Sequence, residues 1–394
     1  MDNPKKVAIA CQGGGTHAAF AAGVLTELLI DMENHKRFDM VGLSGTSAGG
    51  LCALMAGYGL MPKKSRNGSG SVTEAIQALT KFWNGFAAST DAEKMHNAFW
   101  MSVLRMQEQE VPVLGINMPV VGLNPKGVLA HVALFELGTL GARKQYYDFD
   151  AMLNAACPEF DEIDWPKVHT RVLLGASEII DGAETVFDSH CNWDASGSGK
   201  LVERTITHKW RVQRELTLRG VAASGTLPSV REAEKIEGKL YWDGLYSQNP
   251  PIREFLAGVP KEEAPDEIWV VRINPQQRPD GTAPKTNAEI RDRENELMGN
   301  LSLNKELDFI LTVNDFIERP HVDGLKKDYK HVTIRTIKMT KETATKLRTS
   351  SKLDRSRNFI DALREEGRQQ ALAFLSDWPS DDEKKKYPKD AAYY

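Results

Sequence analysis

The sequence predicts an α/β fold whose central sheet is mostly parallel, and three observations carry that prediction. Continuous apolar runs of strand length recur at residues 7–11 (VAIAC), 170–176 (TRVLLGA) and 267–274 (EIWVVRIN). Runs without alternation are what strands covered on both faces require. Between them lie longer stretches with helical spacing, and the first 58 residues already read strand, helix, strand, helix. Glycines mark the strand-to-helix junctions, as Gly13-Gly14-Gly15 after the first strand and as Gly45 and Gly49 around the end of the second.

Composition narrows the class. A chain of 394 residues, 41% apolar and 26% charged, buries the core of one large globular domain or two ordinary ones. The net charge of −4 supplies no basic field for nucleic acid. Lysine runs at residues 63–64 and 384–386 read as solvated surface. Cys11, Cys52, Cys157 and Cys191 are far apart and form no C-x-x-C, so neither zinc nor a disulfide framework is expected. No metal or cofactor is expected, and reduced thiols suit a cytosolic chain. The N-terminal stretch MDNPKKVAIACQGGG has no signal-peptide apolar core, and no run reaches the roughly 18 apolar residues of a membrane span. Membrane contact is therefore expected to be peripheral.

The elements follow in order. After the strand at 7–11 comes a helix over about 16–34, with Phe20, Val24, Leu25, Leu28 and Leu29 on its inward face. The second strand, begun by Met40, Val41 and Leu43, runs into a helix over 48–58. Residues 62–71 (PKKSRNGSGS) read as a flexible loop. Residues 73–107 read as helical, with Trp83, Phe86, Phe99, Trp100 and Leu104 at apolar positions. Periodicity leaves open whether they pack on the sheet or form a lipid-facing lid. Residues 111–127 read as irregular, followed by a helix over 126–137. After the strand at 170–176, a hairpin-like turn at Asp181-Gly182 leads into residues 184–188. A helix over 216–224 ends at Gly225, and a short strand at 239–242 runs into Asp243-Gly244. Beyond the strand at 267–274 come a linker (275–284), an amphipathic helix (288–317), a strand (331–337) and a final helix (354–375). The expected division is a catalytic domain over 5–318 with a lid or insert at 60–115. A strand and helix over 319–376 pack on the same domain, and 377–394 form a flexible tail.

Three pieces carry chemistry. Gly45-Thr46-Ser47-Ala48-Gly49 is a G-x-S-x-G pentapeptide between a strand and a helix. A serine on so sharp a turn sits in a strained backbone conformation, with the helix amides aimed at it and glycines leaving room for substrate. Alone, the pattern arises by chance with a probability on the order of 0.1, so context decides. Gly13-Gly14-Gly15 could turn several amides toward one point, as an oxyanion hole requires. Asp243, on a turn with Gly244 and followed by Asn249-Pro250-Pro251, places a carboxylate after another strand. Open parallel sheets collect such residues at the carboxyl ends of their strands.

In the order and spacing of these pieces, over roughly residues 5–255, the chain resembles the patatin-like phospholipases, lipid acyl hydrolases that use a Ser-Asp dyad without histidine. Ala223-Ser224 before Pro228 resembles the family's helix end as well. The resemblance implies a three-layer α/β/α fold with a helical C-terminal region. It also implies acyl transfer by Ser47 as nucleophile and Asp243 as general base, with Gly13, Gly14 and Gly15 as oxyanion donors and Gly45, Gly49 and Gly244 as supporting glycines. The implied partner is a phospholipid or other lipid ester. Two positions depart from the pattern: the glycine loop continues Thr16-His17-Ala18 where the family has Arg or Lys and then Gly, and Leu245 follows Asp243-Gly244 where it has Gly or Ala.

Two other readings stay open at this level. One is a Ser-His-Asp hydrolase with His321 or His331 as base, although that fold places several strands before its nucleophile. The other is a nucleotide-binding module, because Gly13-Gly14-Gly15-Thr16-His17-Ala18 fits G-x-G-x-x-G/A. That fingerprint calls for an acidic residue at the end of strand two, where this chain has Leu43-Ser44-Gly45.

Overall fold

A computed structural model describes residues 4–64, 70–108, 110–113, 116–119, 149–191, 210–228, 231–278, 280–320 and 324–378. The chain opens as β1 (Lys5–Cys11), α1 (Ala19–His35), β2 (Phe38–Thr46) and α2 (Ser47–Leu60), the expected strand-helix alternation. A 3-10 turn, Gly15–Ala18, precedes α1. The helical region that follows is two helices, α3 (Val72–Phe86) and α4 (Asp91–Glu108). In α3, Phe82 and Trp83 are buried, whereas α4 leaves Met95 and Phe99 exposed. Where an irregular loop was expected, β3 (Glu110–Val113) and β4 (Ile116–Pro119) pair as an antiparallel hairpin. Pro112 and Pro119 argue against a strand inside a sheet, but a two-stranded ribbon is all edge and tolerates proline. The helix expected at 126–137 lies outside the described residues.

The next elements are α5 (Phe149–Ala156), β5 (Arg171–Glu178), β6 (Glu184–Asp188), β7 (Arg211–Glu215), α6 (Leu218–Ser224), β8 (Glu234–Ile236) and β9 (Lys239–Asp243). The strand β7 (RVQRE) carries no apolar run because it is a half-buried edge. The chain continues with β10 (Glu267–Arg272), α7 (Asn287–Glu318), α8 (Leu325–Asp328), β11 (Thr333–Lys338), α9 (Lys341–Lys346) and α10 (Arg357–Asp377).

The sheet runs β11-β10-β1-β2-β5-β6-β7, with β9 also pairing β5, and β8 pairing β9. The five strands from β11 to β5 are parallel, whereas β5 meets both β6 and β9 antiparallel. Side chains alternate across β1. Val7, Ile9 and Cys11 face the apolar layer of α1, α2, α3 and α10, and Ala8 and Ala10 face Leu303, Leu307 and Ile310 of α7. Each valine, leucine or isoleucine among them contributes roughly 1.5–3 kcal/mol by burial. The α7 face is tied by charge too: Arg211 forks onto Glu254 (2.5 Å) and Glu306 (2.6 Å). Among the described residues, no helix is long and apolar enough to cross a membrane.

Candidate active site

The parallel strands end together at one edge, and the singled-out residues collect there. Past the end of β1, the buried Gln12 side chain is a four-way tie. Its Oε1 accepts the N–H groups of Ile273 and Asn274 (2.9 Å each), and its Nε2 donates to Gly299 O and Asn300 Oδ1 (3.0 Å each). The start of the glycine loop is thereby fixed to the end of β10 and to α7.

The loop lies against the serine turn with no room between them. A Cβ on Gly13 would collide with Thr46 O, and one on Gly15, whose φ is +57°, would collide with Lys352 O. Ser47 itself has φ 56°, a conformation that stores roughly 1–3 kcal/mol in a non-glycine residue. Its neighbours explain why the strain persists. A Cβ on Gly45 would come within 2.5 Å of the Gly49 and Gly50 backbone, and one on Gly49 within 2.5 Å of Cys11 O and Gln12 O. Ser47 N–H donates to Ser224 Oγ (3.2 Å), and Thr46 Oγ1 donates to Gln248 O (2.7 Å). The serine is 8% exposed and stands at the first residue of α2, where unpaired amides favour negative charge.

The register along β5 brings the carboxylate to the serine. Gly175 pairs with Thr46 of β2, and the next residue, Ala176, pairs with Asp243 of β9. Consecutive residues of one strand thus hold the ends of the two segments that carry Ser47 and Asp243. Asp243 is wholly buried. Its Oδ1 accepts Leu245 N–H (2.9 Å), while Oδ2 has no hydrogen bond of good geometry. Burial pushes the carboxyl up from 3.8 to about 7, with the nearby Ser47 side chain and the Leu245 amide pulling the other way. Because Leu245 contributes a backbone N–H, its departure from the family pattern leaves this contact intact. Gly244 is required by close approach: a Cβ there would meet Gly175 O at 2.5 Å.

The expectation that all three glycine amides face one point does not hold for Gly13. Its N–H donates to Asn249 Oδ1 (2.6 Å), and its O accepts from Asn249 Nδ2 (3.3 Å). The Asn249–Pro250 peptide is cis. Among the described residues, Gly14 N–H and Gly15 N–H have no protein acceptor, which leaves two free donors on the loop that packs against the serine turn. His17 adds no positive charge. It is buried against Ser351 Oγ (2.7 Å), and burial, aided by the charge of Lys352, lowers its pKa to about 3.

A small cavity of about 50 Å³ opens beside Ser47. Its apolar lining is Leu51, Phe82, Trp83, Phe86, Phe149, Leu227 and Leu353, with Lys352 and Arg355 at the polar side. That lining suits hydrocarbon, in a volume that holds only a few carbons. The residues from 352 to 355 lie more than 300 positions from Ser47, and no local pattern marks them. Gln12 is likewise invisible to motif reading. His331 is not part of the site. It sits before β11, at the amino-terminal edge of the sheet, 3.4 Å from Glu318. His321 lies outside the described residues. Strand two ends in Ser44, Gly45 and Thr46, without the acidic residue a dinucleotide ribose needs.

The profile of one protein family, described as patatin-like phospholipase, matches residues 9–256. Two solved structures are similar at low identity. VipD from Legionella pneumophila is 12% identical with a TM-score of 0.36, over 95% of this chain and 67% of that one. The type III effector protein ExoU is 13% identical with a TM-score of 0.24, over 94% of this chain and 54% of that one. No curated protein sequence matches significantly.

Proposed function

The chain belongs to the patatin-like phospholipase family, a family of lipid-ester hydrolases, and we propose that it cleaves fatty acyl esters of phospholipids or related lipids through a Ser47–Asp243 dyad. The observation that carries this reading is the register of β5, which joins Thr46 and Asp243 through adjacent residues.

In the proposed cycle, Ser47 Oγ attacks the ester carbonyl carbon while its proton passes to Asp243. The tetrahedral oxyanion is held by Gly14 N–H and Gly15 N–H, with the first turn of α2 adding its dipole. Collapse of the intermediate breaks the ester C–O bond, and Asp243 returns the proton to the departing alcohol. Asp243 then takes a proton from water, whose attack on the acyl-enzyme releases the fatty acid and regenerates Ser47. A carboxylate is a weak base for a hydroxyl, and burial offsets this by raising its pKa to about 7, close to neutral pH. The apolar cavity would take the first carbons of the acyl chain.

The test is hydrolysis of phospholipid and of a short-chain soluble ester by the wild type, Ser47→Ala and Asp243→Asn. Each substitution is expected to lower kcat by roughly 10⁴-fold or more. Activity surviving both would end the dyad reading.

A further inference from the structure

One half-buried lysine, among the residues that line the Ser47 cavity, has no counterion among the described residues. Lys352 belongs to the 3-10 turn Ser350–Leu353, and its ammonium donates to two neutral oxygens, Asn274 Oδ1 (3.3 Å) and Asn295 Oδ1 (3.2 Å). Among the described residues it makes no ion pair. The carboxylates nearest in effect are committed elsewhere: Asp292 accepts from Arg348 (3.3 Å) and Thr349 N–H (2.8 Å), and Glu296 accepts from Arg293 (2.9 Å). Burial lowers the pKa of Lys352, with Glu296 and Asp292 opposing from a distance. An ammonium drawn partly out of water without a counterion is disfavoured, so a folded chain keeps one only where the surroundings impose it.

The surroundings are the glycine loop. The Lys352 carbonyl fills the space where Gly15 lacks a side chain, and the adjacent Ser351 Oγ meets His17 Nε2 at 2.7 Å. The ammonium is near enough to His17 to depress its pKa, and Lys352 lines the same cavity as Gly15 and Ser47. Two amides without acceptors therefore lie on the loop beside the serine, and the residue whose backbone packs on that loop carries an ammonium without a carboxylate. An environment so one-sided suits an anion that exists only during the reaction.

We propose that Lys352 is a positioning residue of the oxyanion site, its positive charge behind Gly14 and Gly15 strengthening their hold on the tetrahedral intermediate. The inference rests on the dyad reading, with Ser47 as nucleophile. It assigns the local positive charge to a segment over 300 residues downstream of the loop it serves.

The experiment compares the wild type, Ser47→Ala, Lys352→Met and Lys352→Arg on a soluble short-chain p-nitrophenyl ester and in the rate of labelling by a fluorophosphonate. Lys352→Met is expected to lower kcat roughly 10- to 100-fold, to leave KM within about threefold, and to slow labelling by a similar factor. Lys352→Arg should restore most of the rate. The wild-type rate should also fall as pH rises through the lowered lysine pKa, below the ordinary 10.5, while the arginine variant stays active there. The charged or titratable groups around Lys352 are His17 after β1, Asp292 and Glu296 on α7, and Arg348 on the loop after α9. Undiminished kcat in a folded Lys352→Met protein overturns the proposal, as does equal loss in the Met and Arg variants, which marks a structural role. If Lys352→Met does not fold, the alkaline profile of Lys352→Arg decides: a fall identical to that of the wild type counts against the proposal. Labelling that persists in Ser47→Ala overturns the dyad itself, a failure distinct from loss of the lysine effect alone.

Discussion

The Ser47 side of the site is held chiefly by backbone packed on backbone, and the Asp243 side leans more on side chains bonded to backbone. Around the serine, Gly13, Gly45 and Gly49 each lie where a single methyl group would strike a carbonyl or a neighbouring Cα. Around the aspartate, position depends on individual hydrogen bonds: Asn249 to Gly13, Thr46 Oγ1 to Gln248 O, and Ser177 Oγ to Asp243 O (3.1 Å). Steric exclusion is all-or-none, whereas a hydrogen bond contributes about 1 kcal/mol and an unpaired buried partner costs about 1–3 kcal/mol. The first side should therefore fail abruptly on substitution and the second should decline in steps.

The largest expected effect breaks the first side. Gly45→Ala drives a methyl into the Gly49–Gly50 backbone, and the elbow has to move for the chain to fold. A displacement of about 1 Å at the nucleophile is enough for a loss of 100-fold or more, and ester hydrolysis by folded protein measures it. Activity near wild type would show that the elbow yields more than its contacts suggest.

A smaller effect sharpens the second side through pH. The folded carboxyl of Asp243 lies near 7, above its unfolded value near 3.8, so the native state binds the extra proton between those limits. Stability is therefore highest below about pH 4 as far as this group is concerned, and it falls as pH rises through about 7. The cost at pH 8 is on the order of 4 kcal/mol. Asp243→Asn should unfold at higher denaturant than wild type at pH 8, and the gap should close toward pH 4. With Asp243 as the proposed base, wild-type kcat/KM should rise through about pH 7 as its carboxyl ionises. A variant no more stable than wild type at pH 8 would mean that the carboxylate is better solvated than its burial implies.

The smallest effect is at Asn249. Asn249→Ala leaves the buried Gly13 N–H without its acceptor and frees the loop from the Asp243 side. A loss of about 1–3 kcal/mol in stability is expected by chemical denaturation, with a roughly 10-fold fall in kcat from a looser oxyanion loop. A change in stability with no change in kcat would confine Asn249 to a structural role.

How legible each part was follows from the same contrast. The glycine loop and the elbow are short, contiguous, and written in residues that steric exclusion leaves no choice about. The strands β1, β2, β5 and β10 were readable because burial on both faces demands continuous apolar runs. Edge strands such as β7 carry no such demand, and the β3–β4 hairpin hides behind prolines that a ribbon tolerates. Gln12 was unreadable for another reason: a buried glutamine is satisfied by backbone from β10 and α7, which nothing near residue 12 foretells.

By itself, the sequence determined that a strained serine would stand at the end of the second strand, with glycines where backbones touch. It also determined that an Asp-Gly turn would follow a later strand. These are local matters, set by backbone sterics over a few residues. Only the tertiary structure decided that adjacent residues of β5 bind the ends of both segments, that Asn249 takes the Gly13 amide, and that the Lys352 carbonyl packs against Gly15. Those outcomes depend on register and on packing across hundreds of residues, where the free energy of burial and hydrogen bonding is settled only once the sheet has closed around the site.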